Sequence, residues 1–225
     1  MYTIKLRKRC KAHPKLLTDI ASKIFIYVVI VFSAVIHEYS HGFVANELGD
    51  PTAKKLGRLT LNPLAHIDLI GTVIVPLTLL FLSGSFIGWA KPVPYDPRNL
   101  RDRKGEFKIA LSGPVANLGI AGITSLLFFV IRLIFPVVSG NQTFVSLTAF
   151  IIYVNIFLAL FNLIPVPPLD GSKIIGSFIP QRIRDKLSSI GPLGLIIALF
   201  LGVLIIPYVA RFIFALFTAF GYVFG

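Results

Sequence analysis

Four stretches of this chain stay apolar for longer than a water-soluble core can use: residues 21–48, 109–135, 144–164 and 192–224. As a helix rising ~1.5 Å per residue, the first is roughly 42 Å long, enough to cross a ~30 Å hydrocarbon layer. A fifth stretch, residues 67–88, is as apolar but is interrupted by Gly71, Pro76, Gly84 and Gly88. Such interruptions suit a re-entrant or kinked segment enclosed by protein as well as they suit a clean span. Composition agrees, with 55% hydrophobic and 14% charged residues, where soluble domains carry about 25% charged. Mean hydropathy is +0.82. The expected fold class is all-α and integral to the membrane, a bundle of about five to six transmembrane or re-entrant helices.

The net charge of +12 would suggest nucleic acid in a soluble chain. Here the basic residues sit in blocks between apolar runs, as membrane proteins place them toward anionic lipid. The expected partner is therefore the bilayer, with no nucleic acid. Residues 1–20 form a basic arm with Lys5, Arg7, Lys8, Arg9, Lys11 and Lys15. It does not read as a cleavable signal, because the apolar run behind it carries the chemical motif described below. Residues 90–107 combine Pro92, Pro94 and Pro97 with Lys91, Arg98, Arg101, Arg103 and Lys104. Such a segment makes a poor helix, and a short extended or β element is expected near residues 89–100. The domain plan is an arm at 1–20, a membrane-embedded core at 21–190 and a C-terminal helix or helix pair at 191–225, with Pro207 as the possible break. Within the core, residues 172–190 read as a short amphipathic surface helix. The chain is expected to be multi-pass, in the cell (plasma) membrane.

The first apolar run contains His37-Glu38-Tyr39-Ser40-His41. Residues four apart share one face of a helix, so both imidazoles can reach one metal ion. Glu38 is then placed to act as general base on a metal-activated water. Two histidines and a glutamate inside a spanning segment are costly unless they serve a function. The single cysteine, Cys10, excludes a Cys-based zinc centre and an internal disulfide. Zinc needs a third protein ligand, for which His66, Asp50, Asp68 and Asp170 are the candidates. Asp170 follows an apolar helix in the proline-forced break Pro165-Val166-Pro167-Pro168-Leu169-Asp170-Gly171. From spacing alone it reads equally as a ligand or as the N-cap of a helix from Ser172.

These residues, with Asn162-Leu163-Ile164-Pro165 and Pro168-Leu169-Asp170-Gly171, resemble the site-2 protease family of intramembrane metalloproteases. Asn62-Pro63-Leu64-Ala65-His66-Ile67-Asp68, Gly88-Trp89-Ala90-Lys91-Pro92-Val93 and Ser112-Gly113-Pro114-Val115-Ala116-Asn117 carry the same resemblance, from about residue 33 to 176. The likeness is to the compact branch, without PDZ or CBS domains. It implies one Zn2+ held by His37, His41 and Asp170, with Glu38 catalytic. It implies that Asn117 lies near the metal, positioning substrate or stabilising the oxyanion, and that His66 and Asp68 are structural or accessory. The stretch from Trp89 to Val93 would form an extended element beside the site.

If Asp170 reaches His41, the path of the chain is constrained. His41 lies seven residues before Leu48, roughly 10 Å from that end of the first helix. Asp170 follows the fourth run, so it emerges where the third begins. Both lie on the histidine side if residues 67–88 re-enter. The distribution of loop Lys and Arg favours a spanning 67–88 instead; the metal geometry is the stronger constraint. The expected function is zinc-dependent endopeptidase activity on transmembrane segments of other proteins, locally unwound for cleavage. The alternatives are a membrane metal or proton transporter and a catalytically silent scaffold of the same fold.

Overall fold

The computed structural model describes residues 20–83 and 90–222. The basic arm up to residue 19, and Gly84, Gly88 and Trp89, lie outside the described residues. The described chain is helical, with nine α-helices in order: α1 (Ile20–Glu47), α2 (Thr52–Lys55), α3 (Val75–Ser83), α4 (Gly105–Ile134), α5 (Pro136–Ser139), α6 (Gln142–Asn162), α7 (Asp170–Gly176), α8 (Gln181–Ser188) and α9 (Pro192–Tyr222). Four of these, α1, α4, α6 and α9, are long and apolar enough to cross a membrane. The fold is that of an all-α integral membrane protein.

Helix α1 stops where glycine permits it. Gly49 has φ +106°, and the N–H groups of Gly49 and Asp50 donate to the carbonyls of Asn46 and Ala45. That pair of bonds satisfies carbonyls the helix end would otherwise orphan. Helix α6 starts on Asn141, whose side chain accepts from the N–H groups of Thr143 and Phe144. Helix α9 continues through Pro207 as one helix. Residues 172–190, expected as one amphipathic helix, instead fall into α7 and α8, separated at Pro180. Proline at 180 lacks the N–H that a continuous helix would need.

Helix α4 is central, packed against α1, α6, α7 and α9. Small residues sit at the crossings: Ala121 of α4 and Ala210 of α9 pack with Ile152 and Ile156 of α6 and Ile206 of α9. Large apolar side chains face outward, among them Ile24, Val28, Ile123, Leu126, Phe200 and Val203. Polar groups are inside: Ser33, His37, His41, Asn117, Asn155 and Asp170 are all buried. Lipid tails satisfy the first set, and only protein partners can satisfy the second.

The described part of the interrupted run, residues 67–83, is too short to span by itself. It begins with a π-helical turn, Leu69–Ile74, of 6 residues, followed by the 9 of α3. Those fifteen residues extend roughly 22 Å at ~1.5 Å each, short of a ~30 Å layer. The decisive contact is at its neck, where the Lys91 N–H donates to the His66 carbonyl at 3.0 Å. The two flanks of the run, at His66 and Lys91, thus lie side by side, which favours re-entry. Beyond it, residues 90–96 have no regular secondary structure, and no strand forms among the described residues. Backbone donors pin this irregular chain: Val93 N–H to Glu38 Oε2 at 2.8 Å and Asp96 N–H to Asp50 Oδ2 at 2.7 Å.

Candidate metal centre

The His37 and His41 rings lie 4.7 Å apart, edge to face, one turn apart on α1. Each Nδ1 meets an oxygen of α4. His37 Nδ1–H donates to Asn117 Oδ1 at 2.6 Å and His41 Nδ1–H to the Ile109 carbonyl at 2.7 Å. The Ile109 carbonyl can only accept, so His41 carries its proton on Nδ1. The Asn117 amide is oriented by the same logic: its Nδ2 faces the Ser33 carbonyl at 3.4 Å and Asn155 Oδ1 at 2.9 Å, which leaves Oδ1 for His37. Asn155 in turn donates Nδ2 to the Ile151 carbonyl at 2.9 Å. With the imidazoles neutral, as metal ligands are, each Nε2 then presents a lone pair.

Those lone pairs converge on a carboxylate. Asp170 Oδ2 is 3.0 Å from His37 Nε2 and 3.2 Å from His41 Nε2. Asp170 is the first residue of α7, Leu169 is the N-cap position, and no side chain caps that helix. The capping role left open by spacing is thus not the one its side chain takes. It is brought there by Gly171, where a Cβ would collide with the carbonyl oxygens of Leu163 and Ile164. Glu38 belongs to the same cluster: one ligand-type atom each of His37, Glu38 and His41 lies within 4.8 Å of the others. Two carboxylates thus border the imidazoles. Glu38 Oε2 is committed to the Val93 N–H, whereas Asp170 Oδ2 points at both Nε2 atoms, so Asp170 is the better third ligand.

The donor set fits a divalent cation. Three acceptor atoms with no proton between them repel unless a cation lies among them. Tetrahedral bonds of ~2.0–2.1 Å put neighbouring ligand atoms about 3.3 Å apart, close to the separations found. Helix α4 leaves room on the same side. A Cβ on Gly113 would stand 2.5 Å from His37 Nε2 and 2.6 Å from the Cε1 atoms of both rings.

The remaining candidates are elsewhere. Asp50 is fully buried and accepts from Thr52, Asp96 and Asn99, tying the end of α1 to residues 96–99. Asp68 accepts from the Gly71 N–H, and His66 Nε2–H donates to the Thr60 carbonyl at 2.8 Å. Asn117 sits behind His37, with both ends of its amide engaged inside the bundle. Asn155 and Ile109 were not among the residues expected at the site, and Gly113 appeared only within a motif. Asn155 offered a signal, as an amide in the middle of an apolar run; the Ile109 carbonyl offered none, being backbone. At the rim, burial pushes the Tyr95 phenol up to about 12, assisted by the negative charges of Glu106 and Asp170, so it remains a neutral O–H.

Imidazoles and a carboxylate gathered inside a bundle of membrane-crossing helices define a membrane metalloenzyme centre. Comparison with known proteins narrows the class. The model of peptidase family M50 matches residues 134–205, a span that holds Asp170. YwhC of Bacillus subtilis, provisionally named a zinc metalloprotease, is 36% identical over 183 residues, 79% of this chain and 79% of its own. Rip2 of Mycolicibacterium smegmatis, named in the same provisional way, is 28% identical over 195 residues, covering 86% and 72%. MJ0611 of Methanocaldococcus jannaschii, also so named, is 30% identical over 150 residues, covering 66% and 72%. No solved structure matches. The chain belongs to peptidase family M50, the site-2 proteases, and is a zinc metalloprotease integral to the membrane.

Proposed function

We propose that the protein is an intramembrane endopeptidase that cleaves within or beside transmembrane segments of other proteins. The observation that carries this reading is the convergence of His37 Nε2, His41 Nε2 and Asp170 Oδ2 beside Glu38, inside the bundle. His37, His41 and Asp170 would hold the Zn2+. Bound there, it would supply Lewis-acid chemistry, a water acidified to a pKa of about 7 and a polarised scissile carbonyl. Glu38 takes the proton from the attacking water and delivers it to the leaving amine. The resemblance suggested a direct role for Asn117, as substrate positioner or oxyanion donor. With Oδ1 on His37 and Nδ2 on Asn155 and Ser33, it has no donor left to offer substrate. We infer instead that Asn117 positions His37.

A helical substrate hides its carbonyls in its own hydrogen bonds, so it must be locally unwound to be cut. The irregular residues 90–96, pinned beside Glu38 by the Val93 N–H, supply backbone against which an unwound segment can lie. The loops at the metal end of the bundle carry Lys54, Lys55, Arg58, Arg98, Arg101, Arg103 and Lys104, the pattern of a cytoplasmic face. On that basis we place the protein in the cell membrane with its site opening toward the cytoplasm.

The test is cleavage in proteoliposomes. Candidate transmembrane substrates are reconstituted with the purified protein, and fragment ends are mapped by mass spectrometry. Chelator-sensitive, zinc-restored cuts within or next to the spanning segment support the proposal. Cuts confined to soluble domains, or cleavage retained by Asp170→Ala, would refute it.

A further inference from the structure

Arg58 follows α2 and reaches across to the chain leaving the re-entrant excursion. Its Nη2 donates to the Lys91 carbonyl at 2.7 Å and to the Pro92 carbonyl at 3.4 Å. The Pro92 carbonyl and the Val93 N–H are two ends of one peptide unit. That N–H donates to Glu38 Oε2 at 2.8 Å. The guanidinium holds the Lys91 carbonyl firmly and the Pro92 carbonyl by a long contact, while a carboxylate holds the nitrogen of the Pro92–Val93 peptide. A cation on the carbonyl polarises the amide and makes its N–H a stronger donor.

We propose that Arg58 is a positioning residue for Glu38, acting through the Pro92–Val93 peptide; this rests on Glu38 being the general base. Pro92 has no N–H of its own, so the backbone here has few ties. Lys91 N–H goes to His66, Val93 N–H goes to Glu38, and Arg58 supplies the ties on the carbonyl side. The Val93 side chain is seated too. It fills the bare surface at Gly42, one turn beyond Glu38, where a Cβ would stand 2.9 Å from Val93 Cγ1. With Oε2 taken, Glu38 Oε1 has no protein hydrogen bond among the described residues. The clamp therefore selects which carboxylate oxygen is left for water. Arg58 Nε is buried with no acceptor, a cost that a solvated surface arginine would not carry. A plain staple at the neck of the excursion would make the same bonds, so the two roles must be separated by what they change.

The experiment uses the full-length, zinc-loaded protein in lipid nanodiscs and a transmembrane-segment peptide that the wild type cleaves. Arg58→Gln is expected to lower kcat by about 10²-fold, the scale of a misplaced catalytic group. KM, bound zinc and melting temperature should not change, and the Val93 amide should exchange hydrogen faster. Arg58→Lys, which keeps the cation, should recover part of the loss and serves if the Gln variant does not fold. Wild-type kcat in both variants would overturn the proposal. So would a kcat loss accompanied by proportionate loss of zinc or of thermal stability, which is the staple's signature. If Glu38→Gln proves fully active, the base assignment falls, and Val93 exchange in Arg58→Gln still reports whether the clamp exists.

Discussion

His37 of α1 and Asn117 of α4 meet at 2.6 Å through Nδ1 and Oδ1, and this single bond fixes which imidazole nitrogen faces Asp170. A metal-binding histidine is oriented by the partner of its other nitrogen, and losing that partner typically weakens metal binding by about 10- to 100-fold. Asn117→Leu should do the same here. Competition for zinc against a chelator of known affinity measures it. Asn155→Leu should act in the same direction and less strongly, since Asn117 Nδ2 keeps the Ser33 carbonyl.

Gly113 lets α4 approach the two imidazoles. Its Cβ would lie 2.5 Å from one nitrogen and 2.6 Å from two ring carbons, so Gly113→Ala must push α1 and α4 apart. The expected outcome is a folded helical protein with little or no bound zinc, read by metal analysis together with circular dichroism. Gly119 has nothing near a Cβ, and Gly119→Ala should keep its zinc.

How far the sequence foretold this site depends on the kind of residue. His37 and His41 were legible because helical spacing alone puts them on one face. Asp170 was ambiguous until family resemblance supplied the long-range pairing, since nothing local separates a ligand from a cap. Gly71 and Pro76 made re-entry of residues 67–88 an expectation, but the bond from Lys91 to His66 that favours it joins positions 25 apart by number and has no local signature. Asn117 was legible as a site residue, but its three partners come from α1 and α6 and have no local signature. The Ile109 carbonyl could not be read at all, because every residue has one.

Asp50 makes the loop end of the bundle sensitive to acid. Burial alone would raise its carboxyl. The bonds from Thr52, Asn99 and Asp96 outweigh that and hold it below its ordinary value of 3.8. A carboxylate depressed on folding contributes stability that is complete above its unfolded pKa and is lost as pH falls through the lower, folded value. Limited proteolysis across residues 90–104 should therefore be independent of pH above about 5 and accelerate below 4. Asp50→Asn should be more susceptible at neutral pH, and its difference from wild type should shrink as the pH drops.

Glu38 is proposed to work beside an ion held by His37, His41 and Asp170. This role is tested most directly by Glu38→Gln, which keeps the side chain's shape and removes its basicity. Zinc should bind one to one, as in the wild type, and cleavage of a reconstituted transmembrane substrate should slow by about 10²- to 10⁴-fold. Wild-type cleavage by the zinc-loaded variant would contradict that role.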